Sequence, residues 1–212
     1  LVPAAGSGSR LGGEKPKQYV EIAGKPLLAH TLESLTEVGL ILGIAVGLAR
    51  DDRWWHEEFV PSDRILGTYV GGVSRAETVL RGLEYLEPHV HTEDWVLVHD
   101  AARPCIRPSD IERLISERGD GPSGALLAVP VPDTMKQSNS RDQVERTISR
   151  EGLWYAQTPQ LFSYEALRDA LQGSDLATVT DDSSAMEAAG YMPRLVPGRA
   201  DNLKVTTHED LE

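Results

Sequence analysis

Apolar and polar positions along this chain alternate between two periods. Leu40 to Leu48 is a near-continuous apolar run interrupted only by glycines, the pattern of a strand buried on both faces. Trp95 to His99 reads the same way and ends at Asp100, and Gly124 to Val129 is a further strand. Leu1-Val2 reads as the end of a first strand, and Thr68 to Val70 as a short one that leads into Gly71-Gly72. Between these runs the spacing becomes helical. Pro26 opens a helix to Leu35 with Leu27, Leu28, Leu32 and Leu35 on one side. Asp51 to Phe59 reads as a short helix. Ser74 caps a helix to Leu86, with Glu77 completing a capping box, and Pro108-Ser109-Asp110 opens a helix to Arg118. Strands alternating with helices predict an α/β fold, a mostly parallel twisted sheet with helices on both faces.

The rhythm breaks at Pro130. Residues 131–156 are polar, with a turn at Ser138-Asn139-Ser140-Arg141-Asp142 and flanks that pair as a hairpin. A lone hairpin is marginal in water, so this segment is expected to be a protruding β-arm that needs a surface to lie on. The predicted organisation is therefore a core of residues 1–130 and 157–212 with the arm inserted between them. Helices over Ser163–Leu171 and Asp181–Ala189 and short strands near Leu195 and Lys204 complete the core.

Open parallel sheets bind ligands at the carboxyl ends of their strands. Here those ends carry Pro3 to Gly8, Gly71-Gly72, and Asp100 to Arg103. The first is a glycine loop followed by Arg10, Lys15 and Lys17. Free backbone N–H groups in such a loop form an anion site, and the cations supply full charge to a polyphosphate. No Gly-Lys-Ser/Thr follows Gly6 or Gly8, so the loop is not a P-loop. Leu11 stands where a dinucleotide fingerprint needs its third glycine, and Gly12-Gly13 and Pro16 oppose a helix there. The loop suits a nucleoside triphosphate; a mobile glycine loop with solvated cations is the plainer reading of the same residues.

Composition sharpens this. The chain has 212 residues and a formal net charge of −12, from 33 acidic and 21 basic residues. An acidic surface excludes general nucleic-acid binding and makes the basic cluster at Arg10, Lys15 and Lys17 stand out. The single cysteine, Cys105, rules out an intrachain disulfide and a cysteine-based zinc site, and is expected to be a small buried residue in a cytoplasmic protein. No apolar run reaches the roughly 18 residues of a membrane span. His89 and His91, two apart beside Glu87, Glu93 and Asp94, read as a solvated loop, and Trp54-Trp55 as packing.

Ala-Ala-Gly-x-Gly-x-Arg followed by Pro-Lys resembles the signature of nucleotidyltransferases. Beyond it, in order, come Gly71-Gly72 with Arg75, His99-Asp-Ala-Ala-Arg-Pro104, Asp133-Thr-Met-Lys136, Thr147-Ile-Ser-Arg150 with Leu153-Trp154, Gln157-Thr-Pro-Gln160, Thr180-Asp, and Gly198-Arg-Ala-Asp-Asn202 with Lys204-Val-Thr206. Together, over essentially the whole chain, they resemble the 2-C-methyl-D-erythritol 4-phosphate cytidylyltransferases of the non-mevalonate isoprenoid pathway. The resemblance implies a Rossmann-like nucleotidyltransferase fold and transfer of CMP from CTP to a polyol phosphate, with release of pyrophosphate. It implies Arg10, Lys17 and Lys204 as catalytic cations. It implies a nucleotide pocket from Pro3, Ala4, Ala5, Gly6, Gly8, Gly72, Thr78 and Asp100. Acceptor contacts fall to Asp100, Ala101, Arg103, Thr134, Arg150, Thr158, Thr180 and Lys204. Many relatives have Ser at Thr78, which keeps the hydroxyl, and often Asp at Val73, which does not carry over.

The acceptor phosphate is already an anion, so direct in-line attack at the α-phosphorus is expected without a general base. A divalent ion, Mg²⁺ first, would bridge phosphate oxygens with one or two carboxylates, for which Asp100 and Asp201 are candidates. An Asp after a strand is also a common turn or cap residue, and that reading stays open for Asp201. In the family the arm crosses to a second subunit, so a homodimer is expected in which Thr134 and Arg150 reach the partner's site; a surface hairpin with Arg150 paired to an acidic neighbour is the alternative. Ribitol 5-phosphate cytidylyltransferases share the loop and rim but diverge in the arm, so the Arg150 block favours methylerythritol phosphate.

Overall fold

A computed structural model describes residues 1–6, 15–56, 60, 62–207 and 209–211. Strands β1 (Val2–Pro3), β4 (Ile44–Leu48) and β5 (Ile65–Val70) form a parallel sheet in the order β1-β4-β5, after a small hairpin of β2 (Glu21–Ile22) and β3 (Lys25–Pro26). Strands β6 (Trp95–Val98), β7 (Ala125–Pro130), β10 (Trp154–Ser163) and β11 (Arg194–Pro197) form a second sheet in the order β11-β7-β10-β6. The two sheets meet at Leu1. Its N donates to Leu97 O at 2.6 Å and its O accepts from His99 N at 2.9 Å, the alternation of a parallel pair. Within these two larger sheets, among the described residues, β10 alone runs against its neighbours, antiparallel to both β6 and β7. The core is thus a mixed α/β fold whose sheet is mostly parallel, as the alternation predicts.

Helices α1 (Leu27–Thr36) and α3 (Pro108–Glu117) cover one face; α2 (Arg75–Leu86), α4 (Tyr164–Gln172) and α5 (Asp182–Ala188) cover the other. The strand period sorts the core. Val2, Val46 and Leu161 point to the α1/α3 side, while Leu1, Ala45 and Phe162 point to the α2/α4/α5 side. Burying apolar side chains on both faces is what stabilises the sheet, at about 1.5–3 kcal/mol for each large side chain before entropy is charged.

Several expectations need correcting. No helix forms over 51–56, because Asp52 Oδ1 accepts from the N–H groups of both Trp54 and Trp55, an Asx turn that competes with the helix ladder. Residues 57–59 of that predicted helix lie outside the described residues. Ser74 does cap α2 through Glu77 N, but Glu77 turns its carboxylate to Val73 N and Arg81 instead of closing the box. A complete capping box occurs instead at Asp181 and Ser184 of α5. No strand forms near Lys204: Val205 N donates to Ala102 O, and Val205 O accepts from Lys17 Nζ. Cys105 is exposed, because the turn after Pro104 directs Ile106 inward in its place. The hairpin is formed by β8 (Met135–Ser138) and β9 (Val144–Ile148), and its polar residues are largely exposed. Strand β10 crosses the expected boundary at residue 157, so the end of the arm segment continues directly into the sheet. Among the described residues no helix is long and apolar enough to cross a membrane.

Candidate active site

The carboxyl ends of β1, β5 and β6 open onto one cavity of about 340 Å³. Close backbone approach shapes its nucleotide side. Ala4 N donates to Gly47 O at 2.7 Å, and Gly71 N to Leu48 O at 2.8 Å. A Cβ on Gly71 would stand 2.5 Å from Ala5 Cβ, and one on Gly72 would collide with Glu77, so neither position tolerates a side chain. The Thr78 hydroxyl accepts from Gly72 N at 3.0 Å and donates to Ser74 O at 2.9 Å, which fixes the turn into α2. Val73 is 99% exposed at the mouth of this turn.

Lys17 also lines the cavity, on a short 3₁₀ turn over Lys17–Tyr19. Two buried side chains hold that turn. Gln18 Nε2 donates to Ala4 O at 2.7 Å, and the Tyr19 hydroxyl donates to Asp52 Oδ2 at 2.9 Å. Lys17 and Gln18 therefore face the end of β1 although no regular strand or long helix carries them.

Asp100 is the charged centre. Its Oδ1 accepts from Arg75 Nε at 2.9 Å; its Oδ2 lies 2.8 Å from Lys204 Nζ and 3.7 Å from Arg103 Nε. Burial would push this carboxyl up, but the charges of Arg75, Lys204 and Arg103 together outweigh it and hold it well below the ordinary carboxylate range. The backbone beneath is locked by a relay. Asp100 N donates to Thr158 Oγ1 at 3.0 Å, and Thr158 Oγ1 lies 3.1 Å from His99 Nδ1. His99 Nε2 lies 3.1 Å from Arg103 O. A carbonyl can only accept, so Nε2 carries the proton and Nδ1 accepts from the Thr158 hydroxyl. Burial pushes the His99 imidazole down to about 4, which keeps it neutral and preserves this tautomer.

The segment that delivers Lys204 is tied to the same frame. Arg103 Nη1 donates to Asn202 O at 2.7 Å, and Asn202 Nδ2 donates to Thr158 O at 2.9 Å.

Of the residues singled out from the sequence, the structure gathers Pro3, Ala4, Ala5, Gly6, Lys17, Gly72, Thr78, Asp100, Ala101 and Lys204 around this cavity. Gly8 and Arg10 lie outside the described residues. Arg103 and Thr158 stand behind Asp100 and brace it. Thr134, Arg150 and Thr180 are exposed and do not line the cavity. Asp201 also stands apart, held by both Arg199 and Arg107, which agrees with the turn reading offered for it. Sequence reasoning missed Gln18 and Asp182, and quoted Arg75, His99 and Asn202 only as parts of motifs. Their polar types in buried positions were the signal, but burial is not readable from one sequence.

No cluster of three or more His, Cys, Asp or Glu that could hold a metal forms among the described residues. The donor set here is one carboxylate ringed by cations. That fits a hard divalent ion held chiefly by phosphate oxygens better than one held in a protein cage.

Comparison with known proteins agrees with this geometry. Residues 1–212 match the family model IspD, described as 2-C-methyl-D-erythritol 4-phosphate cytidylyltransferase. A protein of that name from Laribacter hongkongensis is 50% identical over 212 residues, covering 100% of this chain and 91% of its own. Another, from Pseudomonas paraeruginosa, is 47% identical over 214 residues, covering 100% and 92%. The fold superposes on a crystal structure of 4-diphosphocytidyl-2C-methyl-D-erythritol synthase with a TM-score of 0.85 at 37% identity, covering 99% of this chain and 92% of that one. It superposes on the Francisella tularensis cytidylyltransferase with a TM-score of 0.82 at 33% identity, covering 99% and 94%.

Proposed function

The chain belongs to the IspD family of 2-C-methyl-D-erythritol 4-phosphate cytidylyltransferases, and from that membership we propose how its rim performs the reaction. The protein transfers CMP from CTP to 2-C-methyl-D-erythritol 4-phosphate, giving 4-diphosphocytidyl-2-C-methyl-D-erythritol and pyrophosphate. The observation that carries the mechanism is the convergence of Lys17, Arg75 and Lys204 on one cavity around Asp100 in a chain that is acidic overall.

The cytosine lies against Ala4, Ala5, Gly6 and Gly72, where small residues leave room for a pyrimidine and backbone groups read its edge. The triphosphate lies toward Lys17 and Lys204, and Arg10 and Gly8 are assigned to it as well. The acceptor's phosphate oxygen attacks the α-phosphorus in line. The new O–P bond forms as the bond to the bridging oxygen of the β-phosphate breaks, and pyrophosphate leaves with that electron pair. No proton has to move, so the site needs no general base. Lys204, with its side chain 39% exposed and resting on Asp100, is free to lean toward the phosphates as charge gathers there. Such fixed charges stabilise the crowded transition state more than the ground state. A bound Mg²⁺ would neutralise phosphate charge, and Asp100 is the carboxylate we assign to hold it.

Acceptor recognition falls to Asp100, Ala101, Arg103, Thr158, Thr180 and Lys204. The arm, residues 131–156, serves a homodimer in which Thr134 and Arg150 reach the partner's cavity. Its exposed polar strands and the exposed apolar side chains of Val144 and Tyr155 support that reading. The protein works in the cytoplasm, where CTP is made.

The test is pyrophosphate release with Mg²⁺, crossing the four nucleoside triphosphates against methylerythritol phosphate, ribitol 5-phosphate and a sugar 1-phosphate. Turnover confined to CTP with methylerythritol phosphate is expected. Turnover with ribitol 5-phosphate alone would reassign the acceptor while leaving the chemistry in place.

A further inference from the structure

Arg75 stands where α2, the β6 rim and α5 meet. One edge of its guanidinium spans two acids: Nε donates to Asp100 Oδ1 and Nη2 to Asp182 Oδ2, each at 2.9 Å. Asp182 has no exposed surface, and its Oδ1 has no hydrogen-bond partner. The nearby Tyr69 hydroxyl is also buried without a partner. Burial pushes the Asp182 carboxyl up, and Arg75 offsets this only in part.

A buried, half-satisfied acid costs stability, and an apolar residue of similar size would serve packing better. Helix capping does not explain it either. Asp181, the preceding residue, already caps α5 by accepting from Ser184 N. What Asp182 does do is fix the plane of a guanidinium that lines the cavity with its side chain 26% exposed. An arginine held at one nitrogen keeps a free swing, whereas one held at two nitrogens by separate carboxylates does not. Without that hold, this cavity-lining guanidinium could turn toward the phosphates and leave Asp100.

We propose that Asp182 is a positioning residue that acts through Arg75: it pins the guanidinium to Asp100 Oδ1, so that Oδ2 is left to Lys204 and, of the cations around Asp100, Lys204 is the one released toward the phosphates. The proposal rests on the cytidylyltransferase reading above. It also joins the start of α5 to the nucleotide side of the cavity through a single side chain.

Steady-state kinetics with CTP, methylerythritol phosphate and Mg²⁺, alongside thermal melts of each protein, test it. Asp182→Asn keeps the shape and removes the charge. It should lower kcat about tenfold while KM for CTP stays within about twofold, the pattern of lost alignment with binding retained. Arg75→Gln should lower kcat at least as far, and adding Asp182→Asn to it should cost nothing more, since the two act as one unit. Losses that multiply in the double variant, or wild-type kcat in Asp182→Asn, would overturn the proposal. Should Asp182→Asn melt below the assay temperature, Arg75→Lys replaces it. It keeps the charge, but one ammonium cannot hold both acids in this geometry, so kcat should fall similarly and a wild-type value would again overturn the idea. Wild-type protein that turned over neither substrate would instead remove the underlying reading, and that outcome is visible before any variant is made.

Discussion

The rim around Asp100 and the hairpin of β8 and β9 are both rich in charge, yet they are built in opposite ways. At the rim, polar side chains are buried and bonded to residues far away in sequence: Arg75 with Asp182, Thr158 with Asp100, Arg103 with Asn202. In the hairpin they are exposed and bonded across the turn, Lys136 to Thr147 and Arg146 to Gln137, each at 2.7 Å. A buried network has its geometry set by the fold of one chain, and each lost member leaves another unpaired in a low dielectric. An exposed ladder is solvated whether or not its pairs form, so it contributes little to stability. The contrast teaches where to look for the cost of a substitution: in catalysis and stability at the rim, and, on the dimer reading proposed above, in assembly at the hairpin.

The largest effect should come from the phosphate cations. Lys17→Ala, and likewise Arg10→Ala, should lower kcat by on the order of 10²–10³, as expected for removing a transition-state charge partner. A loss confined to KM for CTP would show that the residue binds ground and transition states alike. The arm comes next. Arg150→Ala should lower kcat/KM for the acceptor by about 10–100-fold, the worth of one charge-assisted hydrogen bond, and spare CTP binding. Mixing Arg150→Ala with Lys17→Ala subunits should restore activity through one intact hybrid site. No recovery despite proven subunit exchange would break the comparison, since the arm would then serve its own chain.

The rim also predicts a pH signature. His99 titrates at about 4 in the folded protein against an ordinary 6.5, so between these values the unfolded chain binds the extra proton. Its contribution is therefore complete above the ordinary value and is lost as pH falls toward the folded one. From about pH 7 to about pH 5 the stability linked to this group should fall by about 2 kcal/mol. Urea melts of wild type and His99→Gln should differ by that slope, and parallel slopes would place His99 in a solvated setting. Smaller still, Ser74→Ala should cost about 1 kcal/mol through the lost cap of α2. Lys136→Ala, on the exposed ladder, should cost about 0.5 kcal/mol or less in the same melts.

Much of this molecule was legible before any coordinates. The strands at Ile44–Leu48 and Trp95–Val98, the helix opened by Pro108 and the cap at Ser74 were readable because period and capping are local properties; the first part of the apolar run expected as strand, with Leu40 and Leu42 exposed, is instead a turn and loop. The glycines at the strand ends announced a backbone that something must approach closely. What failed was local competition and non-local partnering. The Asp52 turn defeated a helical pattern at Trp54-Trp55, and Lys17 diverted the Val205 carbonyl where a strand was expected. Strand β10 was missed because Gln157, Thr158 and Gln160 are polar, and only their buried partners in the sheet and in α5 make them core residues.

The sequence by itself therefore determined the α/β class and the three strand ends that form the rim, and its motif blocks singled out Lys17 and Lys204, which the fold brings to one cavity. It also carried the motif blocks on which the family membership rests. Only the tertiary structure decided that Asp100 is held by three cations, that His99 keeps its proton on Nε2, and that Arg75 is shared with an acid 107 positions away. The physical reason is that periodicity and turn chemistry act over a few residues of chain. Burial and charge pairing depend on separation in space, which the sequence does not contain until the sheet has brought its ends together.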